Sequence, residues 1–139
     1  MKGYPAVIRF PVLWGDMDAL GHVNNARYLT WFETARVNYV HQLGYHMGSH
    51  HGWGPVLART SCEYLKPIVF PADLVAGARV VKVGNTSLHM EHVVALAEAP
   101  DDPCARGESV LVLIRYDTLE KVRVPDDLRR AIAAFDGNP

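Results

Sequence analysis

The run from Asn25 to Leu43 contains neither proline nor glycine, and Tyr28, Leu29, Phe32, Ala35, Val37, Tyr39, Val40 and Leu43 recur broadly at helical spacing. This predicts one long helix, closed by Gly44 as a C-terminal cap. Its apolar residues cover more than one stripe, so other structure must embrace it. The rest of the chain reads mostly as strands. "VIRFPVLW", Val7 to Trp14, is rich in β-formers, with Pro11 marking an edge strand or bulge. After a Gly- and His-rich loop, Tyr45 to Pro55, come strands at Val56–Leu65, Asp73–Val83, Thr86–Ala97 and Arg106–Tyr116. Gly84-Asn85 is the hairpin turn between the second and third of these, and "APDDPCARG" is a further turn. "VPDDLRRAIAAF" predicts a short C-terminal helix, with Pro125 near its start and acids in its first turn. The expected class is α+β: an antiparallel sheet that must curl around one long central helix to bury it.

A chain of 139 residues holds one domain with a core and is too short for two ordinary ones, so a single domain over 1–139 is expected. With 49% apolar and 21% charged residues it should fold. A net charge of −1 and a pI near 6.6 provide no overall field for nucleic acid or an anionic membrane. No apolar run is long enough for a membrane span, and "MKGYPAVIRF" lacks the apolar core of a signal peptide. A cytoplasmic protein is therefore expected, with Cys62 and Cys104 as free thiols.

The chemistry concentrates in "WGDMDALGHVNNARYLTWFE", Trp14 to Glu33, where the first strand gives way to the helix. Gly21 suits a turn that other residues make poorly, and Asn24 is a natural N-cap. The N–H groups from Asn25 onward then lack intrahelical acceptors and can hold a developing oxyanion. Asp18 supplies a carboxylate just before them. A carboxylate beside oxyanion donors suits acyl transfer: the acid attacks a carbonyl or activates water, and the donors hold the oxygen that becomes negative. Taken alone, Asp18 also reads as an ordinary turn residue at a helix start, and Asp16 as structural. His22 either tunes Asp18 or merely hydrogen-bonds in the turn.

"GDMDALGHVNNARYLTWFETAR" closely resembles the opening of the 4-hydroxybenzoyl-CoA thioesterase family of hotdog-fold proteins and of the related long-chain acyl-CoA thioesterases. "EYLKPIVFPADL" and "VVKVGNTSLHMEHVV" extend the resemblance, which spans roughly Ile8 to Arg123. It implies a hotdog fold, a curled sheet around one long helix. It also implies dimers that pair edge to edge, often stacked into tetramers, with acyl-CoA sites shared between two chains. It matches the family's essential carboxylate to Asp18 and its carbonyl-polarising N–H to Asn25. It leaves open whether the carboxylate is nucleophile or general base.

Around these, Asn24 and Glu33 are candidates for substrate contact, although Asn24 also reads as a cap and Glu33 as an ion-pair partner of Arg36, three residues on. Lys82 and Ser87 flank the turn where the 4-hydroxybenzoyl-specific branch carries a basic cluster for the CoA phosphates. Only Gly84, Asn85 and Thr86 stand in that turn, so Lys66, Arg115 or backbone N–H groups become further candidates and an acyl-carrier-protein substrate stays open. "HVNNARY" is nearer to the fatty-acyl branch. Trp53 and Met47 are candidates to line an acyl channel. His41, His46, His50 and His51 raise a metal question, but no H-E-x-x-H motif or nearby cysteine supports a site, so neither metal nor other cofactor is expected. The expected activity is hydrolysis of an acyl-CoA by a homodimer or homotetramer. The alternatives are a non-catalytic acyl-CoA-binding module and, with no proline between Asp18 and His22 to support it, a hotdog hydratase or dehydratase.

Overall fold

A computed structural model describes residues 1–45 and 52–137. The elements are β1 (Ala6–Pro11), a 3₁₀ turn (Trp14–Asp16), α1 (Asn25–Gln42), β2 (Trp53–Tyr64), β3 (Asp73–Val83), β4 (Ser87–Leu96), β5 (Pro103–Arg115) and α2 (Asp126–Asp136). The five strands form one sheet in the order β1-β3-β4-β5-β2, every neighbouring pair antiparallel. Helix α1 packs against β1, β3, β4 and β2. The architecture is α+β: one antiparallel sheet, an 18-residue helix and a second, shorter helix.

The register gives the sheet two distinct ends. Pro11 pairs with Asp73, Leu74 with Leu96, Ala95 with Pro103 and Tyr64 with Ala105, which gathers these residues at one end. The opposite end holds Ala6, Val83, Ser87, Arg115 and Trp53. Helix α1 starts near the first end, where the Tyr64 hydroxyl donates to the Asn25 carbonyl at 2.9 Å.

Three strand boundaries differ from the sequence expectation by three residues, the other strand boundaries by one at most. Strand β1 stops at Pro11; Val12 N–H donates to Ala72 O at 2.8 Å, and Asp16 then takes the Leu13 N–H and winds the chain into the 3₁₀ turn. Strand β2 begins at Trp53, ahead of Val56, because Pro55 sits on an edge strand where a missing donor is harmless. Gly54 fits there since a Cβ would meet the Tyr116 hydroxyl at 2.3 Å. Strand β5 begins at Pro103, ahead of Arg106, because proline is also tolerated as a first strand residue.

Phe32 anchors α1 in the core, only 1% exposed. Gly107 of β5 makes this approach possible: a Cβ there would stand 2.3 Å from the Phe32 ring and 2.5 Å from Ser61 O. His92 of β4 stacks on Phe32, with centroids 5.1 Å apart, and its Nε2 shares a 2.8 Å hydrogen bond with Ser109 Oγ. Its Nδ1 is buried with no partner among the described residues. Burial first, and the nearby Arg36 charge second, hold the His92 pKa down to about 3.

Helix α2 buries Leu128 and Ile132 and ties the far end together. The Asp136 carboxylate accepts both the Tyr39 hydroxyl of α1 and the Val80 N–H of β3. Tyr45 donates to Asp127 at 2.8 Å. Arg129 donates to Gly84 O at 2.6 Å, and Val124 N–H to Asn85 O at 2.8 Å, so this segment clamps the β3–β4 turn.

Candidate functional site

The polar segment ahead of α1 is a small hairpin. Asp18 N–H donates to His22 O at 2.9 Å, Gly21 N–H to Asp18 O at 3.1 Å, and Met17 bridges to Val23. Gly21 has φ +83, in the left-handed region where a side chain is strained. The hairpin is fixed to the body by Val23 N–H on Ile68 O at 2.9 Å and Asn24 N–H on Asp16 O at 2.8 Å. These bonds hold the helix start and the Asp18 turn as one unit at the first end of the sheet.

The two aspartates of the motif have different surroundings. Asp16 is 7% exposed; it accepts the Leu13 N–H at 2.8 Å and pairs with Arg27 Nε at 3.3 Å. That carboxylate is committed to the fold. Asp18 is half-buried, and its Oδ1 accepts the Leu20 N–H of its own turn at 2.9 Å. No cation pairs with it among the described residues. His22 joins Asp18 through its backbone carbonyl, while its side chain is exposed.

Asn24 is the N-cap, its side-chain oxygen accepting the Ala26 N–H at 2.9 Å, and Asn24 O accepts the Arg27 N–H at 3.0 Å. The Asn25 N–H, at the first helical position, has no acceptor among the described residues. An N–H without an acceptor among the described residues at the positive end of a helix, with a carboxylate in the hairpin that leads into it, is chemically able to hold an oxygen that gains charge while the acid handles a proton or bond.

From Asn25 a stripe of α1, through Leu29 and Glu33 to Arg36, faces the edge strand β2. A groove of about 170 Å³ lies there, lined by Leu29, Thr30, Glu33, Arg36, Leu57 and Thr60. Glu33 and Arg36 pair as their spacing predicts, at 3.7 Å, with the Glu33 side chain 65% exposed and that of Arg36 only 6%. Burial pulls the Arg36 pKa down, opposed by the Glu33 charge. The position of Arg36 three residues after Glu33 showed the pair but not its depth.

The remaining candidates are elsewhere. Lys82, on the bulge between Val80 and Lys82, and Ser87 lie at the opposite end of β3 and β4 from Asp18. At about 3.3 Å per strand residue that is roughly 30 Å along the sheet. Ser87 serves its own turn: its carbonyl accepts the Gly84 N–H at 2.8 Å, and its Oγ fills the space of a Gly84 Cβ. Trp53 and Arg115 share that far end. Lys66 lies at the Asp18 end and pairs with Asp102. Met47, His46, His50 and His51 lie outside the described residues. Among the described residues no group of three or more His, Cys, Asp or Glu is arranged to hold a metal ion. A larger groove, about 690 Å³, involves none of the expected site residues; it lies on the sheet face away from α1, where Arg79, Glu91, Arg106 and Glu108 meet the Met1–Tyr4 arm. No described helix is long and apolar enough to cross a membrane.

Comparison with known proteins agrees with this architecture. The PA2801 protein of Pseudomonas aeruginosa is 37% identical, with 94% of this chain and 99% of that one covered and a TM-score of 0.85. A Thermus thermophilus thioesterase, solved with coenzyme A and zinc, is 34% identical, with 100% of this chain and 99% of that one covered and a TM-score of 0.85. The YsmA protein of Bacillus subtilis is 25% identical over 121 residues, 87% of this chain and 80% of that protein. The family model of the thioesterase-like superfamily matches residues 12–132, and the chain belongs to that superfamily.

Proposed function

We propose that the protein hydrolyses acyl-CoA thioesters, turning acyl-CoA and water into a carboxylic acid and the CoA thiol. The observation that carries this reading is that, among the described residues, an Asp18 carboxylate without a cation and an Asn25 N–H without an acceptor stand in one hydrogen-bonded segment, the hairpin and the helix start that follows it. The thioester oxygen docks on the Asn25 N–H. Asp18 then either takes a proton from the attacking water or itself adds to the carbonyl carbon. Both routes pass through an oxyanion that the helix start stabilises, and in both its collapse breaks the C–S bond and the thiolate is protonated. The general-base route then releases the acid directly, whereas the nucleophilic route leaves a mixed anhydride with Asp18 that a second water hydrolyses to the acid and free Asp18. His22, whose backbone carbonyl closes the hairpin on the Asp18 N–H, is assigned an assisting role to the carboxylate. A relative of 34% identity was solved with coenzyme A, which supports CoA over a carrier protein as the leaving group. "HVNNARY" supports the fatty-acyl branch over the 4-hydroxybenzoyl one. Lys82 and Ser87 stand too far from Asp18 to act in the same site of one chain, so in this reading they come from a second copy in a homodimer.

The test is release of free thiol from a panel of acyl-CoAs, followed with a thiol-reactive dye. Turnover on saturated acyl-CoAs is expected. Hydration of an enoyl-CoA without thiol release would instead mark a hydratase, and binding without turnover a carrier or sensor. Single turnover in ¹⁸O-water separates the two routes, since label enters Asp18 only if it is the nucleophile.

A further inference from the structure

We propose that Arg36 recognises a carboxylate at the far end of the acyl group, so that the groove between α1 and β2 selects medium-length ω-carboxyacyl thioesters. This rests on the thioester-hydrolase reading and adds the class of acyl group. Arg36 is a guanidinium whose side chain is 6% exposed, yet among the described residues its one ion pair is to Glu33 at 3.7 Å, beyond hydrogen-bond range. None of its five donors is hydrogen-bonded among the described residues. Glu33 itself stands mostly in water, so it neutralises Arg36 weakly. The Arg36 nitrogens are not among the fully buried polar atoms that lack a partner, so they open onto the groove that Arg36 lines, and a guanidinium facing a groove with so few protein acceptors is matched best by a carboxylate, which accepts two parallel N–H bonds and offers no donor to compete. A neutral hydroxyl would satisfy one donor and leave the charge unpaired.

The position of Arg36 fits the terminus of a substrate rather than its thioester. Asn25, Leu29, Glu33 and Arg36 share one face of α1. Arg36 is eleven residues after Asn25, about 16 Å along the helix axis, and its side chain leans back toward the N-terminus. β2 runs alongside as the second wall, with Tyr64 bonded to Asn25 O at one end and Leu57 and Thr60 at the other. Leu29 and Leu57 offer apolar contact for methylenes, and Thr30 and Thr60 complete the lining. At about 1.3 Å of advance per bond in an extended chain, eight to ten carbons span roughly 9–12 Å, and the hydrogen bonds at the thioester and carboxylate ends, with the backward lean of Arg36, make up the remainder. The groove, about 170 Å³, holds the carboxylate and the last few methylenes.

The experiment compares kcat/KM for octanedioyl-CoA against octanoyl-CoA, and for decanedioyl-CoA against decanoyl-CoA. Wild-type protein should favour the dicarboxylic member of each pair by about tenfold or more. In Arg36→Met the preference should fall to about one, mainly through KM. In Glu33→Gln it should rise, because the competing carboxylate is gone. A wild-type ratio of one or below overturns the proposal, as does an Arg36→Met protein that keeps the wild-type ratio. If Arg36→Met does not fold, the wild-type ratio and the Glu33→Gln response decide. If the protein releases thiol from no acyl-CoA, the hydrolase reading fails separately, and calorimetric titration with octanedioyl-CoA and octanoyl-CoA still decides: equal Kd values overturn the role of Arg36. A wild-type ratio of one, together with dissociation of the oligomer in Arg36→Met, would assign the cation to a subunit contact and overturn the proposal too.

Discussion

Asp16 and Asp18 are two residues apart and have different work. The Asp16 carboxylate bonds the Leu13 N–H and Arg27, while among the described residues the Asp18 carboxylate bonds only the N–H of Leu20 in its own turn. Asp18→Asn should therefore keep the fold and lose about 10³-fold or more in turnover, as expected when the one nucleophile or base is removed. Asp16→Asn should lower the melting temperature and leave far more activity per folded molecule. Thiol-release kinetics alongside thermal melts check both, and equal loss of turnover in the two variants would refute the assignment. Asn25→Pro deletes the proposed oxyanion donor at a position where proline is tolerated, and should give a folded, substrate-binding enzyme slowed by roughly 10²–10³. Full turnover in that variant would remove Asn25 from the mechanism. His92 carries a pH prediction. Its pKa is about 3 when folded, against 6.5 for an unperturbed histidine, so the unfolded chain binds the proton first. The stability this neutral histidine allows is present above pH 6.5 and is lost as pH falls toward 3, at about 1.4 kcal/mol per pH unit. Urea midpoints measured between pH 4 and 7 should show that slope flattened in His92→Asn. The helix start was legible because cap, glycine turn and carboxylate are neighbours in sequence. Arg36 beside His92 was not, since that proximity exists only once α1 lies on β4.

Element boundaries follow the same division between local and long-range causes. Strand β3 has the bounds that its β-forming residues suggested, and α1 starts where Asn24 caps it. Strands β2 and β5 run longer because a proline's effect depends on whether its strand is an edge or a beginning, which pairing alone decides. The closeness of α1 to β5 was equally hidden: nothing local marks Gly107 as the place where Phe32 descends. Gly107→Ala should destabilise the protein by about 1–3 kcal/mol through overpacking, since the new methyl meets both a ring and the backbone oxygen of Ser61. The shift in urea midpoint measures it, and an unchanged midpoint would mean that α1 sits more loosely than its contacts show. The C-terminal helix was legible from Pro125 and the acids after it. Its ties to Tyr39, Val80 and Gly84 depend on partners 97, 56 and 45 residues away and were not.

At the scale of the whole molecule, the features expected to meet substrate are divided between two ends of one sheet. Asp18 and Asn25 stand at the end holding Pro11 and Tyr64, and Lys82 and Ser87 at the end holding Trp53. Linear sequence could not show this, because the hairpin turns that bring strands together also reverse them. Light scattering should find dimers or larger species of the 15.4 kDa chain, and a monomer that turns over thioesters would refute a shared site. β2 is an edge strand, and two copies paired antiparallel along it set the Tyr64 end of one beside the Trp53 end of the other. In such a pair a defect in one chain is not confined to that chain's own pocket. A chain carrying Asp18→Asn and one carrying Lys82→Glu, each defective alone, would on random re-association form mixed dimers in which one pocket inherits both lesions and the other neither. Complementation to about one quarter of the wild-type sites is the expected signature of that exchange.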